Sequence, residues 1–497
     1  MLKPILGISC VLAACTAPPA ARPNATPPAP AASAATAAPA APEPAAPEEP
    51  AAPTVSTPAP PAAPPPSPAV PPPPPAPSKL VKLDNARIAG VGFDASHALY
   101  VAGVLSGPMK LGKLSLRPLP SQMPGQLFVA RLHPDGEPDW LIRAGAPLGT
   151  ELQAVSVAAD GSVALAGWYT SYIGARRGHL ASHQLEAFAI LVGADGKVRW
   201  ERRIDGPDRQ MAAAVHHTAG GSVLVGGSFE GATRFGPNHR ATSVPGPYVA
   251  SVDFFLARFS PAGDVEWVAT GGGPDDDRLQ GLAVGASGDI IATADLGRQI
   301  VVGGAAPHAI RASGAPAAPL NGNPSRPFVL AYAPSGALRW GIEIGTSDWS
   351  HTTMPRPLAD GSVLVHGWEQ SLSGPRTSFL AHVDARGALL HRRTVPDLGG
   401  LLADAAHVVS ARADGATVVF ERHTATTTSP EGPSLTFPGA GLTVSALARG
   451  PDGRIAVAGT TGEPTETKLS RRRVAVSFEN IDAYVALAPS IGTLRSR

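Results

Sequence analysis

One spacing governs this chain. Gly136, Gly196, Gly263 and Gly336 are each followed, four positions on, by a tryptophan: Trp140, Trp200, Trp267 and Trp340. Gly387 repeats the frame with His391 in the tryptophan's place. Eight positions before these glycines stand Phe128, Phe188, Phe255, Phe328 and Phe379, and Tyr484 bears the same relation to Gly492. Twenty-one positions after the tryptophans come Gly161, Gly221, Gly288 and Gly361, each opening an apolar run such as Ser162–Gly167 or Ser222–Gly227. Three intervals recurring together mark an internal repeat, and a repeat constrains the fold more than any local pattern does.

Each unit reads as four short strands. In the copy around Trp200, Leu152–Val157 (strand A), Ser162–Gly167 (B), Phe188–Val192 (C) and Val198–Arg202 (D) are separated by turns, two of them at Asp160-Gly161 and Asp195-Gly196. Glycine there accepts the positive φ that tight hairpins need. A sheet this small cannot bury a core alone, so units must stack. The pattern predicts an all-β protein, a β-propeller of about seven four-stranded blades. Seven A–B turns are read at His97 (in the glycine's place), Gly161, Gly221, Gly288, Gly361, Gly415 and Gly453. Only 38 positions separate Gly415 from Gly453 and no aromatic-glycine-tryptophan frame fits between them, so the sixth blade reads as eroded. The phenylalanines of strand C and tryptophans of strand D read as packing residues between neighbouring sheets. Leu80–Leu83 sits in a strand D register with no strand C before it, while the last unit stops soon after Tyr484. The two ends are therefore expected to complete one blade, closing the ring and removing its open edges.

Segments such as Phe255–Trp267 and Gly221–Phe229 resemble the bacterial seven-bladed β-propeller repeat family, common in exported lipoproteins. The resemblance covers about 79–497 and implies the architecture. It implies nothing about activity, because propellers host unrelated functions. The glycine-x3-tryptophan element is also similar to that of quinoprotein-type propellers.

The amino terminus reads as an address. Lys3 precedes the short apolar run Pro4–Leu12, and Leu12-Ala13-Ala14-Cys15 resembles a lipobox. Residues 1–14 are expected to be a lipoprotein signal peptide and Cys15 the site of lipid attachment. By the same resemblance, Thr16 points to the outer membrane, facing the periplasm or the exterior. Anchoring through several acyl chains would be stable. Residues 15–78 read as a lipid-anchored, disordered tether, since 25 of the 55 prolines fall within 16–78. Such sequence favours extended polyproline II at ~3.1 Å per residue. Residues 79–497 are the β-propeller repeat domain.

Chemistry is sparse. A net charge of +1 argues against nucleic acid as a partner. Cys10 lies in the removed segment, so Cys15 is the one mature cysteine and thiol catalysis is excluded. G-x-S-x-G, H-E-x-x-H, P-loop and C-x-x-C motifs are absent. His179, His183 and Glu186 have the spacing of metal ligands on a helix, but they fall in a B–C connection of a β-protein. His216 and His217 end a strand and must point to opposite faces. Asp275-Asp276-Asp277 offers oxygen ligands without the spacing of a calcium loop. Arg471-Arg472-Arg473 reads as a solvated loop. No catalytic residue, metal or cofactor is expected. The expected function is a monomeric, surface-tethered, non-catalytic scaffold with a protein or glycan partner. Its B–C loop face would bind, with the long insertions at 228–254 and 295–327 as walls, because loops vary where they recognise. One alternative is an outer-membrane structural or assembly factor. Another is an enzyme (hydrolase, lyase or quinoprotein-like) with a central-channel site. The last needs converging polar groups on the A strands, which read mostly as Ala, Val and Gly.

Overall fold

The computed structural model describes residues 79–488, apart from 118–124, 146–149, 172–183, 245–250, 298, 303–307, 312–324, 346–348, 371–373, 397, 399, 404–407, 415–416, 424–425, 431–434, 437–441 and 462–481. The glycine turns recur as one structure. The Ala158 carbonyl accepts the Gly161 N–H at 3.0 Å and the Ala158 N–H donates to the Ser162 carbonyl at 2.9 Å. Gly161 carries the left-handed conformation that lets the second bond form, at φ 82°. Asp160 Oδ1 accepts the Ser162 N–H at 2.9 Å, which is why aspartate precedes the glycine. His97 stands in the same place in the first unit at φ 65°, with Asp94 Oδ1 accepting the Ser96 and Ala98 N–H groups.

The strands fall into seven sheets with consecutive A-B-C-D pairing. Blade one is Ala86–Phe93, Leu99–Leu105, Gln126–Leu132 and Pro138–Arg143; blade two is Thr150–Val157, Val163–Ser171, Gln184–Val192 and Val198–Ile204. Blade three is Gln210–His217, Val223–Phe229, Asp253–Phe259 and Val265–Gly272; blade four is Arg278–Val284, Ile290–Leu296, Arg326–Tyr332 and Leu338–Glu343. Blade five has a divided inner strand, Trp349–Thr352 and Arg356–Pro357, then Val363–Gln370, Thr377–Val383 and Leu389–Val395. Blade seven is Leu442–Arg449, Ile455–Thr461 and Asp482–Ala488, with Lys79–Leu83 as its outer strand. Lys79 pairs with Leu487 and Leu83 with Ala483, so the two ends of the domain close one sheet. Val81 and Leu83 are buried there, whereas Leu80 is 42% exposed.

Blade six departs from the sequence reading. Its strands are Gly400–Ala403, Val408–Asp414, Thr417–His423 and Thr428–Pro430, with the short Leu435–Thr436 also on the third. Asp414 pairs with Thr417, so that hairpin joins the second and third strands, not the first and second. Gly415 itself lies outside the described residues. The assignment follows from neighbours: Gly400–Ala403 and Val408–Asp414 both lie against the inner strand of blade seven, as strands A and B of other blades do. Ala411 pairs with Phe420, which is buried and serves as this blade's strand C aromatic. The eight-residue frame missed it because the C–D turn carries no glycine-x3-tryptophan.

The remaining aromatics sit in register. Gly103 pairs with Phe128, Gly167 with Phe188, Gly227 with Phe255, Ala294 with Phe328, Gly367 with Phe379 and Gly459 with Tyr484. The five phenylalanines are at most 1% exposed. The cores lie between sheets: Tyr100 and Leu127 of blade one share a cluster with Val163 and Phe188 of blade two, and Val81 and Val485 share one with Phe128.

Each tryptophan of strand D fastens the next blade. The Trp140 Nε1–H donates to the Ala194 carbonyl, Trp200 to Pro261, Trp267 to Pro334 and Trp340 to Ala385, at 3.0–3.2 Å. Each acceptor lies two positions before the turn glycine of the following blade. The rings lie on Gly196, Gly263, Gly336 and Gly387, where a Cβ would come within 2.7–3.2 Å of ring carbons. That glycine is thus required twice, for its positive φ and for the indole face. At the closing junction Arg454 donates to Pro134, the equivalent carbonyl of blade one.

The B–C insertions have a bracing role that the length variation did not suggest. The hairpin 109–116 of blade one lies against Lys79–Leu83, and the hairpin 232–242 of blade three lies against Val198–Ile204. In the latter an Asp205–Arg234 backbone bridge is backed by their ion pair at 2.6 Å. Blade four's insertion pairs Val302 with Gly271 and Val301 with Gly272, extending blade three to six strands. The insertions at 228–254 and 295–327 were expected to form walls; their described hairpins instead dock on the outer strand of the preceding blade.

Trp200 is 6% exposed, so Trp200→Ala should lower unfolding free energy by ~3–5 kcal/mol in denaturant titration. Trp200→Phe keeps most of the packing and should lose about 1 kcal/mol for the bond to Pro261. A Trp200→Ala chain as stable as the parent would remove the fastening role. Deleting 79–83 should cause aggregation and early melting, while deleting as many residues within 40–60 leaves the melting temperature unchanged; equal melting would refute strand-mediated closure.

Candidate functional site

The inner strands are built to aim side chains at the axis. In five blades strand A skips one residue against strand B, leaving Ala89, Gln153, Ala213, Gln280 and Ser445 unpaired. A bulge bends its strand and redirects the extra side chain. All five line a central cavity of about 710 Å³. In four of these blades a strand B glycine takes the close approach of strand A beside the bulge, a Cβ on Gly167 falling 2.0 Å from the Glu151 carbonyl oxygen and one on Gly459 1.8 Å from that of Thr443, while blade four keeps the bulge with Ala294 in that place. In blade five the strand breaks at Thr353–Pro355, where proline supplies no N–H, and Arg356 follows in the second piece.

Register then defines layers around the axis. Ser156, His216, Ala283 and Arg356 occupy equivalent places on blades two to five, opposite Ala164, Leu224, Ile291 and Leu364. His216 and Arg356 line the central cavity, and with Arg449 they also line a second cavity of about 490 Å³ that runs to the A–B turns at Ala286 and Ala359. Arg356 Nη1 reaches only the thioether of Met354, at 2.9 Å, and its Nε is buried without a hydrogen-bond partner. Thioether sulfur is a weak acceptor. Burial alone pulls this guanidinium down to a pKa of about 10. Burial also holds His216 below its ordinary value, with the Arg356 charge adding to the effect, while His216 Nδ1 lies 2.6 Å from the His217 carbonyl. Among the described residues, neither cavity's lining includes an aspartate or glutamate.

The channel is therefore not the plain Ala, Val and Gly wall expected from the A strands. Two arginines and the imidazoles of His216, His351 and His366 face it. Sequence singled out His216 but not Arg356, because the proline on each side hid its strand. His217 points the other way, with Nδ1 3.1 Å from Ser156 Oγ and Nε2 3.4 Å from Ser162 Oγ, and burial lowers it to about 4. His351 lies at the opposite end of the channel, 3.6 Å from Asp295. By register, Trp368 against Leu364, it is four strand positions from the His216 layer, roughly 13 Å at ~3.3 Å per residue.

The other candidates resolve as follows. Asp275-Asp276-Asp277 is a buried D–A connection. Asp276 pairs with Arg278 at 2.5 Å and accepts the Val252 N–H, and Asp277 Oδ1 accepts the Gly297 N–H at 2.7 Å. Asp253 on blade three joins them, its Oδ2 accepting the Val244 N–H at 2.8 Å. Asp253 Oδ1 and Asp277 Oδ2 have no partner. Burial raises Asp253 to about 7 and Asp277 well above the carboxylate range, the latter further raised by Asp253. Among the described residues no group of three or more His, Cys, Asp or Glu side chains is placed to hold a metal ion. Glu186 accepts the Tyr169 hydroxyl, while His179 and His183 lie outside the described residues, as do Cys15 and Arg471–Arg473.

The raised native pKa of Asp253 means that unfolding releases a proton between about pH 4 and pH 7, so this acid makes the fold less stable as pH rises through that window, and the raised Asp277 acts in the same direction. Asp253→Asn should melt above the parent at pH 8 and show a flatter pH–stability profile; an identical pH dependence in both chains would show that Asp253 is ionised throughout.

No family model and no curated protein sequence matches this chain. Among solved structures, a PL25 ulvan lyase aligns with TM-score 0.46 at 10% identity, covering 83% of this chain and 98% of that one. Virginiamycin B lyase from Staphylococcus aureus aligns with TM-score 0.42 at 10% identity, covering 82% and 99%. The β-propeller domain of the Trilobed protease from Pyrococcus furiosus aligns with TM-score 0.41 at 8% identity, covering 76% and 90%. This chain is similar to propeller proteins of several activities, and none of those activities follows for it from such likeness.

Proposed function

We propose that this protein is an exported propeller, tethered to the outer membrane through a lipid on Cys15, that binds a protein or glycan partner at its axial cavity without transforming it. The observation that carries this reading is the cavity wall: cationic and imidazole groups with no facing carboxylate among the described residues, so nothing there pairs an acid with a base. The binding end moves from the B–C loop face to the A–B turn end, because Arg356, Arg449 and His216 converge there. Fractionation tests the tether. Cys15→Ser should leave the chain unlipidated and outside the membrane fraction; continued incorporation of labelled fatty acid would refute the lipobox.

One observation favours a second reading, a channel enzyme. A neutral imidazole, His216, shares its layer with a guanidinium, the arrangement by which a base takes a proton beside a neutralised acid group. Prolonged incubation with acidic oligosaccharides, followed by mass spectrometry, separates the two. Binding with ligand recovered intact supports the scaffold. Product that disappears in His216→Gln establishes the enzyme.

A further inference from the structure

We propose that the Arg356 end of the axial cavity is an oxyanion site that takes a carboxylate or phosphate group; this rests on the cavity being the binding site. The argument begins with an imbalance of charge. Arg356 is half-buried in the cavity wall, and a guanidinium partly withdrawn from water is costly unless an anion or several good acceptors surround it. Elsewhere in this protein part-buried arginines meet that need: Arg326 pairs with Glu343 at 2.9 Å and Arg258 with Glu266 at 2.6 Å. Arg356 has one weak sulfur contact and an Nε with no partner, and no ion pair among the described residues includes it.

The surroundings are shaped for a ligand, not for a protein counter-charge. Equivalent places in the same layer hold Ser156, His216 and Ala283, and Ala283 leaves open space between His216 and Arg356. Arg449 lines the same cavity and adds a second positive charge. The divided strand of blade five, with Pro355 and Pro357 flanking Arg356, fixes the backbone from which the guanidinium projects. A fork of N–H donors beside a cavity suits a planar carboxylate or a phosphate, and the charge-assisted bonds would give the Nε–H donor an acceptor.

Thermal melting of the full-length chain tests this, with inorganic phosphate and succinate in separate titrations at ionic strength held constant with sodium chloride. One of the two should give a saturable rise of about 3 °C near a hundredfold excess over its dissociation constant, and which one does identifies the source of the oxyanion. Arg356→Met should abolish the saturable rise. Ala283→Glu, which places a carboxylate in the same layer, should also abolish it and should melt above the parent in plain buffer. A response of equal size in parent and Arg356→Met would be a general solvent effect of the salt and would overturn the proposal, as would no response to either anion. If Arg356→Met fails to fold, Ala283→Glu decides alone: an undiminished anion response there refutes the site. Turnover of an acidic oligosaccharide dependent on His216 would refute the scaffold reading while leaving the anion titration unchanged.

Discussion

The indole of one blade seated on the turn of the next is the contact on which this ring depends. A four-stranded sheet of about seven-residue strands has two apolar faces and too little area to stand alone, so every blade must be held against its neighbour at a fixed height. The tryptophans do this with a directional bond as well as with area: Nε1 donates to a turn carbonyl of the next blade, and the ring covers a glycine no other residue could replace. Four such contacts tie blades one to five in sequence. Where the series ends, other devices take over: Arg393 of blade five donates to the Thr427 carbonyl of blade six, and Arg454 reaches the Pro134 carbonyl where the ring closes. The insertion hairpins add a second set of ties at the outer strands, running back to the preceding blade.

The same repeat that fixes the blades also furnishes the axis. In four blades a glycine in strand B accepts the close approach of the strand A carbonyl beside the strand A bulge, and in all five bulged blades the extra side chain lines the cavity. Repeated around the ring, this yields a lining of small and amide side chains on which a few substitutions have a large electrostatic effect. Arg356 and Arg449 make one end of the channel positive, with the His216 imidazole beside them, while toward the other end His351 lies 3.6 Å from the Asp295 carboxylate. The two guanidinium charges face a lining with no carboxylate among the described residues, and the proposed anion site rests on that imbalance.

The buried acids between blades three and four show the opposite arrangement. Asp253 and Asp277 spend one oxygen each on backbone N–H groups of loops that have no strand partner, and they accept burial as the cost. Their raised proton affinity follows from that placement. It ties the D–A connection, the start of strand C and the end of strand B into one unit.

What the sequence alone determined was the repeated part: the all-β class, the four-strand unit, the turns at Gly161 or Gly263, the buried phenylalanines and the pairing of the two ends. These are local or periodic, since a turn needs its glycine and a glycine-aromatic pair recurs at a fixed interval, so spacing suffices to read them. Blade six was misread because its aromatic, Phe420, lies after a short hairpin and lacks the frame that marks the others; only its neighbours show which strand is innermost. Arg356 was invisible for a related reason. Proline on either side removes the strand signal, and its position opposite Leu364 in the layer of His216 exists only once the blades are arranged in a ring. Spacing along the chain fixes what each blade is, but which side chains face one another across the axis depends on closure, and closure is a property of the folded ring.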